Sequence, residues 1–277
     1  MLKRGCCMER YLIALDLDGT TLNADGQLSA GTIAVLREAQ AAGHLVVITT
    51  GRPDSISEHF YDDLQLHGPM INFNGALIHI PHQHWRYEQE VTIPIPVALS
   101  LRQLKRDFSF KVMVAEGKQL LVADRPYANI PFLPDRPHPK ALLDEQGLRQ
   151  PPISVTMFMT AKTFDPVSKQ VNALYPHLAA KTWSAWSGEY TALEVTSKNT
   201  SKSRALAYVA GQYGIDQKHI IAFGDDMNDL DMLQFAGHGV AMKNARPAIL
   251  AIADAQTPND NQHDGVANYL ADYLKLA

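Results

Sequence analysis

Cysteine is almost missing from this 277-residue chain: there are two, Cys6 and Cys7, side by side. Adjacent cysteines close a disulfide only under strain, and no third thiol exists to partner either one, which excludes a disulfide framework. A structural zinc site would need further thiolate or imidazole ligands at suitable spacing. The residues ahead of Cys6 lack the apolar stretch of an export signal, so this start reads as a leader without chemistry, with Met8-Glu9 as an alternative start. No run approaches the roughly 18–20 apolar residues of a membrane span. Lysine and arginine form no block and the formal net charge is -4. Phosphate-backbone affinity needs clustered cations, so nucleic acid is not an expected partner, and neither is a membrane surface. Repeats and low-complexity tracts are absent too. The expectation is a reducing, cytoplasmic setting.

What is present is an ordinary enzyme composition, 46% hydrophobic and 19% charged, in a chain long enough to bury a substantial core without staples. Tyr11–Leu15 is a short apolar run ending in acidic residues and Gly19, the pattern of a strand buried on both faces. A helix should follow, capped by Ser29, with Ile33, Leu36 and Ala39 inward and Gly43 beyond its end. A second apolar run, Leu45–Ile48, leads into Thr49-Thr50-Gly51-Arg52. Strand, helix and strand with short joins make a βαβ unit. The alternation returns late in the chain. A helix is expected over Ser201–Tyr213, a strand over His219–Phe223, a helix over Asn228–Phe235, a strand over Gly239–Met242, and a last helix over Val266–Leu274.

The middle differs. Asn74-Gly75, between Met70–Phe73 and Ala76–Ile80, signals a hairpin. From His84 to about Ala192 proline and β-forming residues are frequent. Candidate strands Lys111–Ala115, Gln119–Ala123 and Ile153–Met159 are interrupted by helical stretches at Val97–Phe108 and Pro166–Tyr175. The expected fold class is therefore α/β, a Rossmann-like core of residues 1–83 and 192–277 with a mostly parallel sheet, interrupted by an α+β domain over 84–191.

Ligands of open α/β sheets sit at the carboxyl ends of the strands. Three motifs fall there: Asp16-Leu17-Asp18-Gly19-Thr20, Thr50-Gly51-Arg52, and Gly224-Asp225-Asp226-Met227-Asn228-Asp229. Lys202 adds a cation at the start of the helix before the third. Two carboxylates one residue apart repel by on the order of 4 kcal/mol at a few ångströms and an effective dielectric near 20. A divalent cation removes that penalty, and hard oxygen ligands suit Mg²⁺.

These residues resemble the motifs of the haloacid dehalogenase superfamily, and more closely its Cof-type branch of sugar-phosphate and cofactor phosphatases. Asp16 to Thr20 matches the first motif, Ile48 to Arg52 the second, Lys202 the third and Gly224 to Asp229 the fourth. Asn72 to Ala76 and Asn244-Ala245 look like further landmarks of the branch. Ser203 departs from it, standing where glycine usually follows the lysine. The resemblance implies an inserted cap of the C2 type and a Mg²⁺-dependent hydrolysis of a small phosphorylated metabolite. Asp16 would be the nucleophile that becomes an aspartyl-phosphate, and Asp18 the acid and then the base. Mg²⁺ would be held by Asp16, the main-chain carbonyl of Asp18 and Asp225, with Asp229 supporting them from behind. Thr50, the amides of Gly51, Leu17 and Asp18, Lys202 and Asn228 would hold phosphate oxygens. Arg52 is expected to anchor structure, and Asp226 either to hold its loop or to bind metal. A phosphomutase or a sucrose-phosphate-type phosphatase would share this chemistry. A non-catalytic phosphometabolite sensor would need neither Asp16 nor Asp18, and a response-regulator-like module would need neither Asp18 nor the large insertion.

Three other features read as structure. His79, His82 and His84 are expected at a surface or hinge rather than on a metal. Trp183, Trp186 and Tyr190 are expected to pack the core of the inserted domain, and Asp260 to Asp264 to form a polar loop.

Overall fold

The computed structural model describes residues 9–130, 133–182 and 190–276. The cysteines, Trp183 and Trp186 lie outside the described residues. Two compact units divide the chain: one holds residues up to Arg52, Ser57–Glu88 and Ser201–Ala277, the other Pro53–Ile56 and Gln89–Thr200.

The chain enters the first unit through β1 (Leu12–Leu15), α1 (Ala30–Ala41), β2 (Leu45–Ile48), α2 (Glu58–Asp63), β3 (Met70–Asn72) and β4 (Leu77–His79). Ser29 caps α1 by accepting from the Thr32 amide at 2.9 Å, and its hydroxyl donates to Asp264. The elements of the second unit come next: β5 (Gln89–Glu90), α3 (Ile95–Leu101), β6 (Val112–Gly117), β7 (Leu120–Ala123), β8 (Ser154–Met159), α4 (Ala161–Leu174), β9 (Leu178–Thr182) and β10 (Thr191–Ser197). The first unit resumes with α5 (Lys202–Tyr213), β11 (Ile220–Gly224), α6 (Leu230–Phe235), β12 (His238–Ala241), α7 (Pro247–Leu250), β13 (Ala255–Gln256) and α8 (Gly265–Leu274). No helix among the described residues is long and apolar enough to cross a membrane.

The first unit is built on a five-stranded sheet in the order β13-β12-β11-β1-β2, parallel at every pairing. β1, β2 and β11 are buried along their whole length, which is why they read as unbroken apolar runs. β1 lies between β2, the next strand of the same sheet in sequence, and β11, from the far end of the chain. The strand order therefore reverses on either side of β1, the kind of place where α/β sheets hold ligands.

The second unit is an antiparallel five-stranded sheet, β7-β6-β8-β10-β9. One face packs α3 and α4 through Met113, Val155, Met157, Val167 and Val171. The other carries a smaller apolar cluster of Val112, Val114, Phe158 and Ala192 under Tyr127 and Ile130, with Tyr190 packed against it.

Several local expectations change. Val97–Phe108 is not one helix: α3 ends at Leu101 and a 3₁₀ turn, Arg102–Arg106, completes the segment. Pro166 does not open α4 but lies inside it, five residues after its start. β3 and β4 do form an antiparallel hairpin, but the connection is a 3₁₀ turn in which Asn74 (φ 53°) and Gly75 (φ 98°) are left-handed. A Cβ on Gly75 would stand 2.3 Å from the Ser201 carbonyl oxygen, so glycine lets this turn lie against the start of α5. His79 corrects the surface expectation. It is fully buried, and its Nε2 is 3.0 Å from Asn72 Oδ1 across the hairpin. His82 is exposed and pairs with Asp62 at 2.9 Å; His84 is exposed.

Candidate active site

The register of the parallel sheet brings the motifs together. Leu15 pairs with Phe223 and with Ile48, so Asp16, Thr49 and Gly224 leave their strands side by side. The Asp16 amide donates to the Phe223 carbonyl (3.2 Å) and the Thr49 amide to the Leu15 carbonyl (2.7 Å). Thr50, one step further, donates its amide to Ile71 at 2.9 Å, and its hydroxyl accepts from the Arg52 amide at 3.1 Å. After Asp16 the chain turns sharply. The Leu22 amide returns to the Leu17 carbonyl (2.9 Å), the Thr21 hydroxyl donates to the Asp16 carbonyl (2.6 Å), and Gly19 adopts φ 74°. A Cβ at Gly19 would lie 2.4 Å from Asp225 Oδ2, so a side chain here would push Asp225 away.

Lys202 sits at the centre. Only 1% of it is exposed, and its Nζ donates to Asp16 Oδ1 at 2.5 Å and to Asp229 Oδ1 at 2.6 Å. Burial alone would push this ammonium down; the two carboxylates outweigh it and hold it above its ordinary range. Asp229, fully buried, uses its second oxygen on the amides of Asp225 (3.0 Å) and Asp226 (3.2 Å). It therefore ties the lysine to the loop that carries Asp225. Asp225 accepts from the Thr20 hydroxyl at 2.8 Å.

One ammonium does not balance this set. Oxygens of Asp16, Asp225 and Asp229 lie within 4.8 Å of one another. Burial, then the Asp229 charge, push Asp225 up to about 7. Burial and the charges of Asp229 and Asp225 raise Asp16 well above the carboxylate range despite Lys202. Excess negative charge from hard oxygen donors, beside a lysine already committed to two of them, fits a divalent cation. The donor set contains no thiolate or imidazole, which favours Mg²⁺ over a softer metal.

Asp18 stands apart from that knot, partly exposed, and is gripped by Arg52: Nε to Oδ2 at 2.8 Å and Nη2 to Oδ1 at 2.6 Å. This is an anchoring contact of the kind expected of Arg52, but its partner lies 34 positions away, beyond any local sequence signal. The Arg52 carbonyl accepts from Asn72 Nδ2 (3.0 Å), which also donates to Ser57 Oγ (2.8 Å). His79, through Asn72, thus braces the Thr50-Gly51-Arg52 loop. Asn228 is exposed and donates to Asn74 Oδ1 at 3.2 Å. Asp226 pairs with Arg246 at 2.7 Å, a loop-holding contact. Asn244 donates to the Gly19 carbonyl at 2.7 Å, and Ser203 fastens to Asp231 through both its amide (3.1 Å) and its hydroxyl (2.6 Å).

A family model described as haloacid dehalogenase-like hydrolase matches residues 13–270. The chain belongs to this family. It is 31% identical, over 96% of its length and 98% of the relative's, to the 5-amino-6-(5-phospho-D-ribitylamino)uracil phosphatase of Bacillus subtilis. A pyridoxal phosphate phosphatase of Escherichia coli is 25% identical over 96% of this chain and all of its own. Among solved structures, a haloacid dehalogenase-like hydrolase from Bacteroides thetaiotaomicron superposes with a TM-score of 0.81 at 24% identity, covering 96% of this chain and 100% of the other. Family membership makes the chain a hydrolase with the haloacid dehalogenase core and cap.

Proposed function

We infer that the chain is a Mg²⁺-dependent phosphatase that transfers a phosphoryl group from a small phosphorylated metabolite to Asp16 and then to water. As a member of its family it hydrolyses phosphoric monoesters, and curated relatives matched along their whole length are named as phosphatases. The observation that carries the reading is the buried knot of Asp16, Asp225, Asp229 and Lys202 beside a second, separately held carboxylate, Asp18.

Phosphate-monoester hydrolysis is among the slowest uncatalysed reactions, so catalysis must lower the barrier by roughly 20 kcal/mol or more. A covalent intermediate divides that task. Lys202 holds Asp16 Oδ1 and so fixes the carboxylate, leaving Oδ2 to attack phosphorus and form the aspartyl-phosphate. Asp18 gives its proton to the departing oxygen. Left as a carboxylate, it then takes a proton from the water that hydrolyses the phosphoenzyme, so one side chain serves both half-reactions. Thr50, the amides of Gly51, Leu17 and Asp18, Lys202 and Asn228 donate to the equatorial oxygens, where charge spreads in the transition state. Mg²⁺ would be held by Asp16, Asp225 and the Asp18 carbonyl, with Asp229 behind them. When bound it supplies positive charge against the nucleophile and the phosphoryl oxygens.

We read the inserted segment, over residues 84–191, as the cap that sets substrate specificity. The relatives' substrates, a phosphorylated ribitylaminouracil and pyridoxal phosphate, set the first compounds to screen. Hydrolysis of p-nitrophenyl phosphate in the presence of Mg²⁺, abolished by chelator and by Asp16→Asn, is the test. Full turnover in either condition would overturn the mechanism.

A further inference from the structure

His79 is fully buried in the first unit, and the β3–β4 hairpin sets its place. It stands opposite Met70, two positions from Asn72. The two side chains therefore lie on one face as diagonal neighbours, a separation that long side chains span. Nε2 of His79 comes within 3.0 Å of Asn72 Oδ1.

Which atom carries the hydrogen follows from the far side of Asn72. The Arg52 carbonyl can only accept, so the Asn72 atom 3.0 Å from it is the amide nitrogen. The second hydrogen of that nitrogen goes to Ser57 Oγ at 2.8 Å. Oδ1 is left to face His79, and an amide oxygen also only accepts, so Nε2 of the ring is the donor. Asn72 is fully buried. Without the histidine donor its Oδ1 would lose a hydrogen bond away from water, a condition that buried groups relieve by rotating or by drawing water in. Either response loosens Nδ2 from the Arg52 carbonyl. The same carbonyl accepts from the Phe73 amide at 3.2 Å, and the Asn74 amide donates to the Thr50 carbonyl at 3.0 Å. The hairpin thus clasps the Thr50-Gly51-Arg52 loop at both ends. From there the Arg52 guanidinium crosses the Phe60 ring, 5.5 Å from its centre, and reaches both oxygens of Asp18.

We propose that His79 is a positioning residue for the reaction: by fixing the Asn72 amide it sets the main chain of Arg52, and through Arg52 the aim of Asp18. The task needs one N–H at a fixed place and no charge, which a neutral imidazole with its hydrogen on Nε2 supplies. A catalytic group is held to its working geometry by neighbours that are themselves held, and here the chain of support runs from β4 through β3 to the loop after β2. The proposal rests on the phosphatase reading, in which Asp18 gives and takes the proton.

The test is steady-state kinetics of the full-length protein with p-nitrophenyl phosphate and Mg²⁺. His79→Leu removes the donor and should lower kcat about tenfold, with KM within about twofold. The loss stays below that expected on removing Arg52 itself, because the Phe73 amide still holds the carbonyl. His79→Gln, whose side-chain amide donates from near the same place, should return kcat to within about twofold of the parent. In an Arg52→Ala background, His79→Leu should change kcat by less than about twofold, the non-additivity of a residue that acts through another. Asn72→Ala breaks the link at its other end and should show the same loss of about tenfold, which keeps the test open should the leucine variant fold poorly. Unchanged kcat in His79→Leu or in Asn72→Ala, no recovery in His79→Gln, or an equal loss with and without Arg52 would overturn the proposal. Failure of the phosphatase reading shows separately, as absence of p-nitrophenyl phosphate hydrolysis by the unaltered protein.

Discussion

Arg52 holds both carboxylate oxygens of Asp18, through Nε at 2.8 Å and Nη2 at 2.6 Å. A planar fork on a planar carboxylate fixes distance and orientation together, which a lysine cannot do. Asp18 is thereby aimed independently of Asp16, whose own oxygen is held by Lys202.

The first prediction concerns that fork. In Arg52→Ala, kcat should fall by about 10²-fold, the usual scale of a small misplacement of a catalytic group, with a smaller change in KM. Arg52→Lys should recover little of the loss. Steady-state kinetics with p-nitrophenyl phosphate decides it; a rise in KM at unchanged kcat would show that Arg52 only binds substrate.

Lys202 is expected to matter for stability as well as chemistry. Lys202→Met leaves Asp16 and Asp229 buried without their ammonium, and breaking such a set costs about 3–5 kcal/mol. Urea unfolding in chelator should show that loss, with part of it recovered on adding Mg²⁺. A variant as stable as the parent in chelator would contradict the role given to this residue.

Much of this site was legible in the sequence because each motif follows a short apolar run, and parallel strands must release their loops at one end of the sheet. Asp16, Thr50 and Asp225 are brought together by register alone. What escaped the sequence depends on partners far along the chain. Arg52 meets Asp18 only after β2 has returned beside β1. His79 sits in a three-residue strand too short to show a period, and its burial follows from pairing with β3 and from Asn72. β9 runs from buried Leu178 to exposed Lys181 and Thr182, and β10 carries Glu194 among its buried residues, so neither gives an unbroken apolar run. The grouping of Pro53–Ile56 with the inserted elements has no local signal either, since the segment directly follows the Thr50-Gly51-Arg52 motif.

Asp225 gives the protein a pH dependence that the metal should cancel. Its folded value of about 7 lies above its ordinary value of 3.8, so between these limits the folded state binds more protons than the unfolded one. Its contribution to stability therefore falls as pH rises through that window, and Asp16, raised as well, acts in the same direction. In chelator the melting temperature should therefore drop from about pH 4 toward pH 7, and saturating Mg²⁺ should flatten the drop. An unchanged slope with Mg²⁺ would show that the cation does not bind these carboxylates.

Glu116 makes a parallel prediction for the second unit. Burial, then the charges of Glu194 and Asp54, raise it from 4.5 to about 8. It folds neutral, and its contribution to stability declines as pH rises through that range. Glu116→Gln stays neutral throughout. The variant should match the parent near pH 5 and unfold at a higher temperature than the parent at pH 9, in thermal melts with Mg²⁺ present. A variant less stable than the parent at pH 9 would show that the ionised carboxylate has a stabilising partner.

The central claim is that Asp16 carries the phosphoryl group. The direct measurement is a rapid acid quench of the protein turning over a ³²P-labelled phosphomonoester with Mg²⁺, followed by proteolysis and identification of the labelled peptide. The account predicts acid-stable, base-labile label on the peptide containing Asp16, and none on the Asp16→Asn protein. Turnover without protein-bound label, or label that persists in Asp16→Asn, would contradict it.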